Sequence, residues 1–178
     1  MAARANAARF TAVKRLVAAL LFVALIALAL VLTTGGEDER RAAAVPALTV
    51  TRMDGAGDYE LTQLASAQTP TLLWFWAPWC TVCNGEAPKI QQLTEQAGDR
   101  LQVVAIGGRD ELANAPAFVE RHGLTGPTLL FDESMQTWEH YRIPGQPGAI
   151  LLDRDGRERG RWLGAFDPTL ALEAAENL

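Results

Sequence analysis

The chain has 178 residues, 49% of them hydrophobic and 21% charged, with a net charge of −5. From Val45 onward acids outnumber bases almost two to one, which argues against nucleic acid and anionic lipid surfaces as partners of that part. No internal repeat is visible, and the length suits one domain with a sizeable core once an N-terminal segment is set aside.

Residues 1–15 carry Arg4, Arg9, Lys14 and Arg15 and no acid. Leu16 to Leu32 is continuously apolar, and the uncharged stretch extends through Gly36. At 1.5 Å rise per residue, about 20 residues cross a hydrocarbon core. Residues 16–36 are therefore read as a transmembrane signal anchor. The basic side stays cytoplasmic, and the rest of the chain lies outside the membrane. A cleaved signal peptide is the alternative; it has a shorter apolar run and a small-residue site just after it. Here Thr33-Thr34-Gly35-Gly36 leads into the charged block Glu37–Arg41, and Ala42-Ala43-Ala44 comes late. Both outcomes place the domain in an oxidising compartment. Residues 37–47 read as a linker and 48–178 as the folded domain.

Leu48–Met53 has strand character, and Asp54–Asp58 is turn chemistry. Tyr59–Leu61 pairs with it as a small hairpin, and Thr62 starts a short helical turn. The apolar run Leu72–Trp76 reads as a buried strand. Pro78 stops regular pairing. Beyond the cysteines Ala87, Ile90, Leu93, Thr94 and Ala97 recur at helical spacing. Pro88 is expected to kink this helix, and Gly98-Asp99 to end it. Leu101–Ile106 is a second buried strand, parallel to the first because a helix joins them. Glu111–His122 reads as a helix closed by Gly123, Thr128–Phe131 as a short strand and Ser134–Tyr141 as another helix. Ala149–Leu152 and Glu158–Trp162 flank Asp155-Gly156, a hairpin signal. Asp167-Pro168 opens a last helix that ends near Asn177.

The chemistry sits at Trp79-Cys80-Thr81-Val82-Cys83. At a strand-to-helix junction the first sulfur meets unsatisfied N–H groups and the positive end of the helix dipole, so its thiolate is stabilised. The second lies one turn further in, close enough for a disulfide. Cys80 is read as the attacking nucleophile and Cys83 as the resolving thiol of a two-electron couple. Trp79 forms an apolar lip around Cys80, while Trp74 and Trp76 are read as core. Half of a zinc site and a static disulfide are the alternatives. Structural zinc takes four ligands, whereas the chain has 2 cysteines and 2 histidines, and His122 and His140 lack a tight ligand spacing. No metal is expected.

Trp-Ala-Pro-Trp-Cys-Thr-Val-Cys-Asn-Gly-Glu-Ala-Pro resembles the active-site segment of the TlpA/ResA/DsbE-like branch of the thioredoxin superfamily, Glu86 and Pro88 included. A second patch, Tyr141-Arg142-Ile143-Pro144-Gly145-Gln146-Pro147-Gly148 through Asp153, resembles that family's cis-proline loop and following strand. The likeness covers about residues 45–178. It implies an α/β thioredoxin-like fold, a central mixed β-sheet flanked by helices, here preceded by one transmembrane helix. It also implies that Pro147 is cis and faces the cysteine pair, and that Gln146 offers backbone hydrogen bonds to an extended substrate.

One departure stands out. Thioredoxin has a buried aspartate in the strand before its cysteines, where this chain has Trp74. Glu86 is the candidate substitute for proton transfer, with a solvated helix position as the preferred reading.

The expected function is an extracytoplasmic protein-disulfide oxidoreductase of the bacterial cytoplasmic membrane. It would act on cysteine-bearing client proteins and be recycled by a membrane redox partner, with the Cys80–Cys83 disulfide in place of any cofactor. Direction stays open: TlpA-like and ResA-like relatives reduce, in some cases for cytochrome c maturation, whereas the secreted DsbE-like group oxidises. The Gln146-Pro147 pair tilts the reading toward the oxidant. A thioredoxin-fold copper(I)-binding module, using two soft thiolates, is the alternative from another class.

Overall fold

The computed structural model describes residues 45–66 and 68–178. The predicted membrane anchor and residues 37–44 of the predicted linker lie outside the described residues. Among the described residues no helix is long and apolar enough to cross a membrane.

In chain order the elements are β1 (Thr49–Arg52), β2 (Asp58–Glu60), α1 (Gln63–Ser66), β3 (Thr71–Trp76), α2 (Thr81–Ala97), β4 (Gln102–Gly108), α3 (Ala115–His122), β5 (Thr128–Asp132), α4 (Gln136–His140), β6 (Gly148–Leu152), β7 (Glu158–Leu163) and α5 (Thr169–Ala175). The strands form one mixed sheet in the order β2-β1-β5-β4-β3-β6-β7. β3 pairs in parallel with β4 and antiparallel with β6, while β4 pairs in parallel with β5.

β3 is buried at every position. Its alternating side chains serve two different faces, as a period of two requires. Leu72, Trp74 and Trp76 pack with Cys83, Ala87, Ile90 and Leu93 of α2, Phe118 of α3 and Ala171 of α5. Leu73 and Phe75 pack on the other face with Leu64 of α1, Trp138 of α4 and Tyr141. The result is a helix–sheet–helix sandwich, the thioredoxin-like arrangement expected from the sequence. Val45, within the predicted linker 37–47, packs against the second of these clusters.

Several boundaries differ from expectation, each for a local reason. The helix predicted over 111–122 begins only at Ala115, because Pro116 fits in a first turn and nowhere later. The residues before it close as a 3-10 turn over Leu112–Asn114. α4 starts at Gln136 because Met135 takes a left-handed φ of 63°. The Asp132 carboxylate is buried there and accepts the Thr137 N–H at 2.8 Å. α2 continues through Pro88 to Ala97. The Asp167 carboxylate accepts the Thr169 N–H at 3.0 Å in the turn that leads into α5, whose N-cap is Pro168 and which ends at Ala175.

β4 runs two glycines beyond its predicted end. Glycine weakens a strand interior, yet a side chain at either place would have to displace a neighbouring ring. A Cβ on Gly107 would lie 2.5 Å from the Phe131 ring and 3.0 Å from Trp76; one on Gly108 would lie 2.7 Å from the Trp138 indole nitrogen. Trp76 stacks on Phe118 at 4.5 Å and meets Phe131 edge-on at 6.3 Å, so none of these rings can retreat freely. Gly107→Ala should therefore lower the unfolding free energy by about 1–3 kcal/mol, measured by urea unfolding of the oxidised protein. A variant as stable as wild type would mean that the Trp76–Phe118–Phe131 stack has slack.

Candidate active site

The sheet brings three chain ends to one edge. Trp76 at the end of β3 is in register with Gly107 of β4, and Phe75 with Gly148 of β6. The turn after β3, the turn after β4 and the loop before β6 therefore emerge side by side.

The turn after β3 closes with the Cys80 N–H donating to the Ala77 carbonyl at 3.1 Å. Cys80 is the N-cap of α2, with extended backbone (φ −74°, ψ 110°), and its sulfur accepts the Cys83 N–H at 3.0 Å. The two cysteines form a disulfide, their Cα atoms 5.2 Å apart. Cys80 keeps 4% of its surface and Cys83 none. One sulfur is thus served by the helix N-terminus, where a thiolate is stabilised, and the other is sealed in the core.

Trp79 is 58% exposed and Val82 48%. The Trp79 indole N–H donates to the Arg109 carbonyl at 3.1 Å. Across β3, the Gln146–Pro147 bond is cis. Pro147 is buried, and its carbonyl accepts the Gly164 N–H at 2.8 Å. Among the described residues the Gln146 Oε1 is buried without a hydrogen-bond partner.

Glu86 corrects the sequence reading. It is not solvated but buried, 3% exposed, because α2 turns the same face to the sheet with Cys83, Glu86, Ala87 and Ile90. Each carboxylate oxygen receives one donor: the Trp74 indole N–H on Oε2 at 3.0 Å and the Phe166 N–H on Oε1 at 2.9 Å. Trp74, read as core alone, is thus also the strand's hydrogen bond to an acid carried by the helix. Burial raises the Glu86 carboxyl above its ordinary value, against the opposing pull of the Phe166 N–H, the Trp74 indole and Lys89.

His122, which no sequence motif ties to the cysteines, is one residue removed from Cys80. Asn84 Nδ2 donates to the Cys80 carbonyl at 2.9 Å, and Asn84 Oδ1 lies 2.7 Å from His122 Nε2. With the amide nitrogen committed to Cys80, Oδ1 must accept, so Nε2 carries the proton. Burial, then Arg121, holds this imidazole below its ordinary pKa. The residues are 38 apart in sequence; only the packing of α3 on α2 joins them, and no local spacing signals it. His140 stacks edge-on against Tyr141. Among the described residues no three His, Cys, Asp or Glu side chains converge to hold a metal ion.

A model of the AhpC/TSA family matches residues 42–159, a span that includes the cysteine turn and the loop before β6. The chain belongs to the AhpC/TSA family. Among relatives, it is 33% identical over 134 residues to the soluble secreted antigen MPT53 of Mycobacterium tuberculosis, covering 74% of this chain and 75% of that protein. It is 26% identical over 134 residues to the thiol:disulfide interchange protein DsbE of Escherichia coli, covering 75% and 71%. The solved structure of MTB dsbF in its mixed oxidized and reduced forms superposes with a TM-score of 0.68 at 25% identity, over 76% of this chain and 96% of that one. This AhpC/TSA member is a thiol–disulfide oxidoreductase of the DsbE/ResA type, with Cys80 and Cys83 as its disulfide pair.

Glu86 sets a pH dependence whose sign is fixed. Its raised pKa means that the folded chain binds this proton more tightly than the unfolded one. The stability it contributes is full below the ordinary value of 4.5 and is lost as pH rises through the folded value. Glu86→Gln removes the titration. Across about pH 4 to 8 the stability difference should move in the variant's favour as pH rises, read from denaturant midpoints. A difference that does not vary with pH would mean that the carboxyl titrates as a free glutamate.

Proposed function

We propose that this oxidoreductase works outside the cytoplasm as an oxidant of cysteine-bearing client proteins. Residues 16–36 tether it to the membrane, and a membrane redox partner recharges the pair. The observation that carries the reading is the asymmetry of the two sulfurs: Cys80 at the N-cap of α2, taking the Cys83 N–H, and Cys83 without exposed surface.

The cycle follows from that asymmetry. A client thiolate attacks the Cys80 sulfur; the Cys80–Cys83 bond breaks and the electron pair leaves on Cys83. The new bond is a mixed disulfide between client and Cys80. A second client thiolate then attacks the client sulfur of that bond, and Cys80 departs as a thiolate stabilised by the helix terminus. Two electrons have moved from client to protein, and no separate cofactor is needed. Glu86, one helical turn beyond Cys83, supplies the proton that Cys83 takes on leaving. Its raised pKa favours the protonated form needed for that transfer. Trp79 and the backbone at Gln146–Pro147 hold the client's extended segment over Cys80.

The oxidising direction is supported by the likeness of the Gln146-Pro147 patch to secreted DsbE-like oxidants. The extracytoplasmic location is supported by the basic residues before the apolar stretch and by the relative named as a secreted antigen.

A potential for the Cys80–Cys83 couple above roughly −200 mV, by equilibration with glutathione, is expected of a client oxidant; one near roughly −270 mV would make the protein a reductase instead. In Cys83→Ala, mixed disulfides with clients should accumulate on Cys80, and Cys80→Ala should form none. Mixed disulfides that need Cys83 would reverse the assignment. The full chain should fractionate with membranes and retain its N-terminus; a soluble form beginning near Ala44 would identify residues 16–36 as a cleaved signal.

A further inference from the structure

β4 ends in Gly107-Gly108 and the chain turns at Arg109, whose φ of 57° lies in the left-handed region that favours glycine. A non-glycine residue held there is strained and persists where surrounding contacts over-determine it. Arg109 has such contacts on every side. Its carbonyl accepts the Trp79 indole N–H at 3.1 Å, and its own N–H meets the Met135 sulfur at 3.3 Å. Its Nη2 donates to the Pro144 carbonyl at 2.7 Å, and its guanidinium carbon stands 5.4 Å from the Trp138 ring centroid.

Two segments that flank the cysteine turn thus end on one residue. One is the exposed Trp79, next to Cys80. The other is the loop that delivers Gln146 and Pro147 to β6. Glycine would take this backbone without strain, and the exposed arginine side chain fills no core volume; what it adds is the bond to the Pro144 carbonyl and the contact with the Trp138 ring.

We propose that Arg109 is a positioning residue for client docking, holding the Trp79 ring and the Pro144–Pro147 loop at a fixed spacing about Cys80. Its carbonyl sets the ring and its guanidinium sets the loop, so ring and loop cannot move apart independently. It acts through these neighbours rather than on the sulfurs. The docked group is an extended, cysteine-bearing peptide segment, which needs both walls; a small thiol needs only the Cys80 sulfur. This assignment rests on the client-exchange reading above.

The test uses the oxidised full-length protein and two thiol reductants: dithiothreitol, and an unstructured peptide containing two cysteines, each followed by loss of the Cys80–Cys83 disulfide. In Arg109→Gly the ratio of the peptide to the dithiothreitol rate constant should fall about tenfold, the loss carried by KM, as expected when a docking surface shifts by a fraction of an ångström. The thermal midpoint should change little, the relieved strain offsetting the lost bond to the Pro144 carbonyl. Arg109→Lys keeps a donor for the Pro144 carbonyl and should recover most of the ratio. An unchanged ratio in Arg109→Gly overturns the proposal, and so does an equal fall of both rates, which would assign the residue to the fold or to the sulfurs. A wild-type protein that reacts with dithiothreitol but not with the peptide dithiol would be a different failure: it would remove the client-exchange reading, and this proposal with it.

Discussion

β3 has no exposed position, so both of its faces must be covered and both of its edges paired. From that requirement the rest follows. The three large side chains Leu72, Trp74 and Trp76 bury against α2, α3 and α5, and Leu73 and Phe75 against α1 and α4. An aromatic of this size removes roughly 150–250 Å² from water, so the alternation fixes which way the strand can face. Because β4 and β6 are then locked in register on its two edges, their chain ends have no freedom to leave the rim where β3 ends. The turn that carries Cys80, the turn at Arg109 and the loop that carries Pro147 leave the sheet on one rim for that reason.

A buried acid on α2 faces the same strand. A carboxylate in a core is tolerable only where its oxygens are bonded, and Glu86 meets this with one N–H on each oxygen. The donors come from β3 and from the segment entering α5, so one side chain of α2 joins elements far apart in the chain. Where thioredoxin has a strand acid this chain has Trp74, and its indole N–H donates to the Glu86 carboxyl of α2.

How far the sequence could be read depended on the range of the forces involved. The apolar run Leu72–Trp76, the helical spacing from Ala87 to Ala97, the Asp155-Gly156 turn and the Cys-x-x-Cys pair are local signals, and the elements they mark are present. The Gln146–Pro147 cis bond was legible through resemblance, because spacing alone singles out no proline. What escaped were properties set by packing across the sheet. Glu86 on a helix surface pattern looks solvated until Phe166, 80 residues away, comes down on it. Gly107 and Gly108 look like the end of a strand until the rings of Trp76, Phe131 and Trp138 are seen to occupy their side-chain space. His122 and Arg109 carry no motif; each matters through one or two neighbours supplied by another element.

The burial of Cys83 limits how long any client can stay attached. In the proposed cycle a client enters only through Cys80, and the sulfur able to eject it is already within a helical turn, its Cα 5.2 Å away. Held so close, Cys83 attacks the mixed disulfide as an intramolecular partner at an effective concentration no free thiol in solution reaches. A client with a single cysteine is therefore returned unchanged, and only one whose second thiol arrives first departs altered. The depth of one sulfur acts as a timer, set by the core rather than by the client.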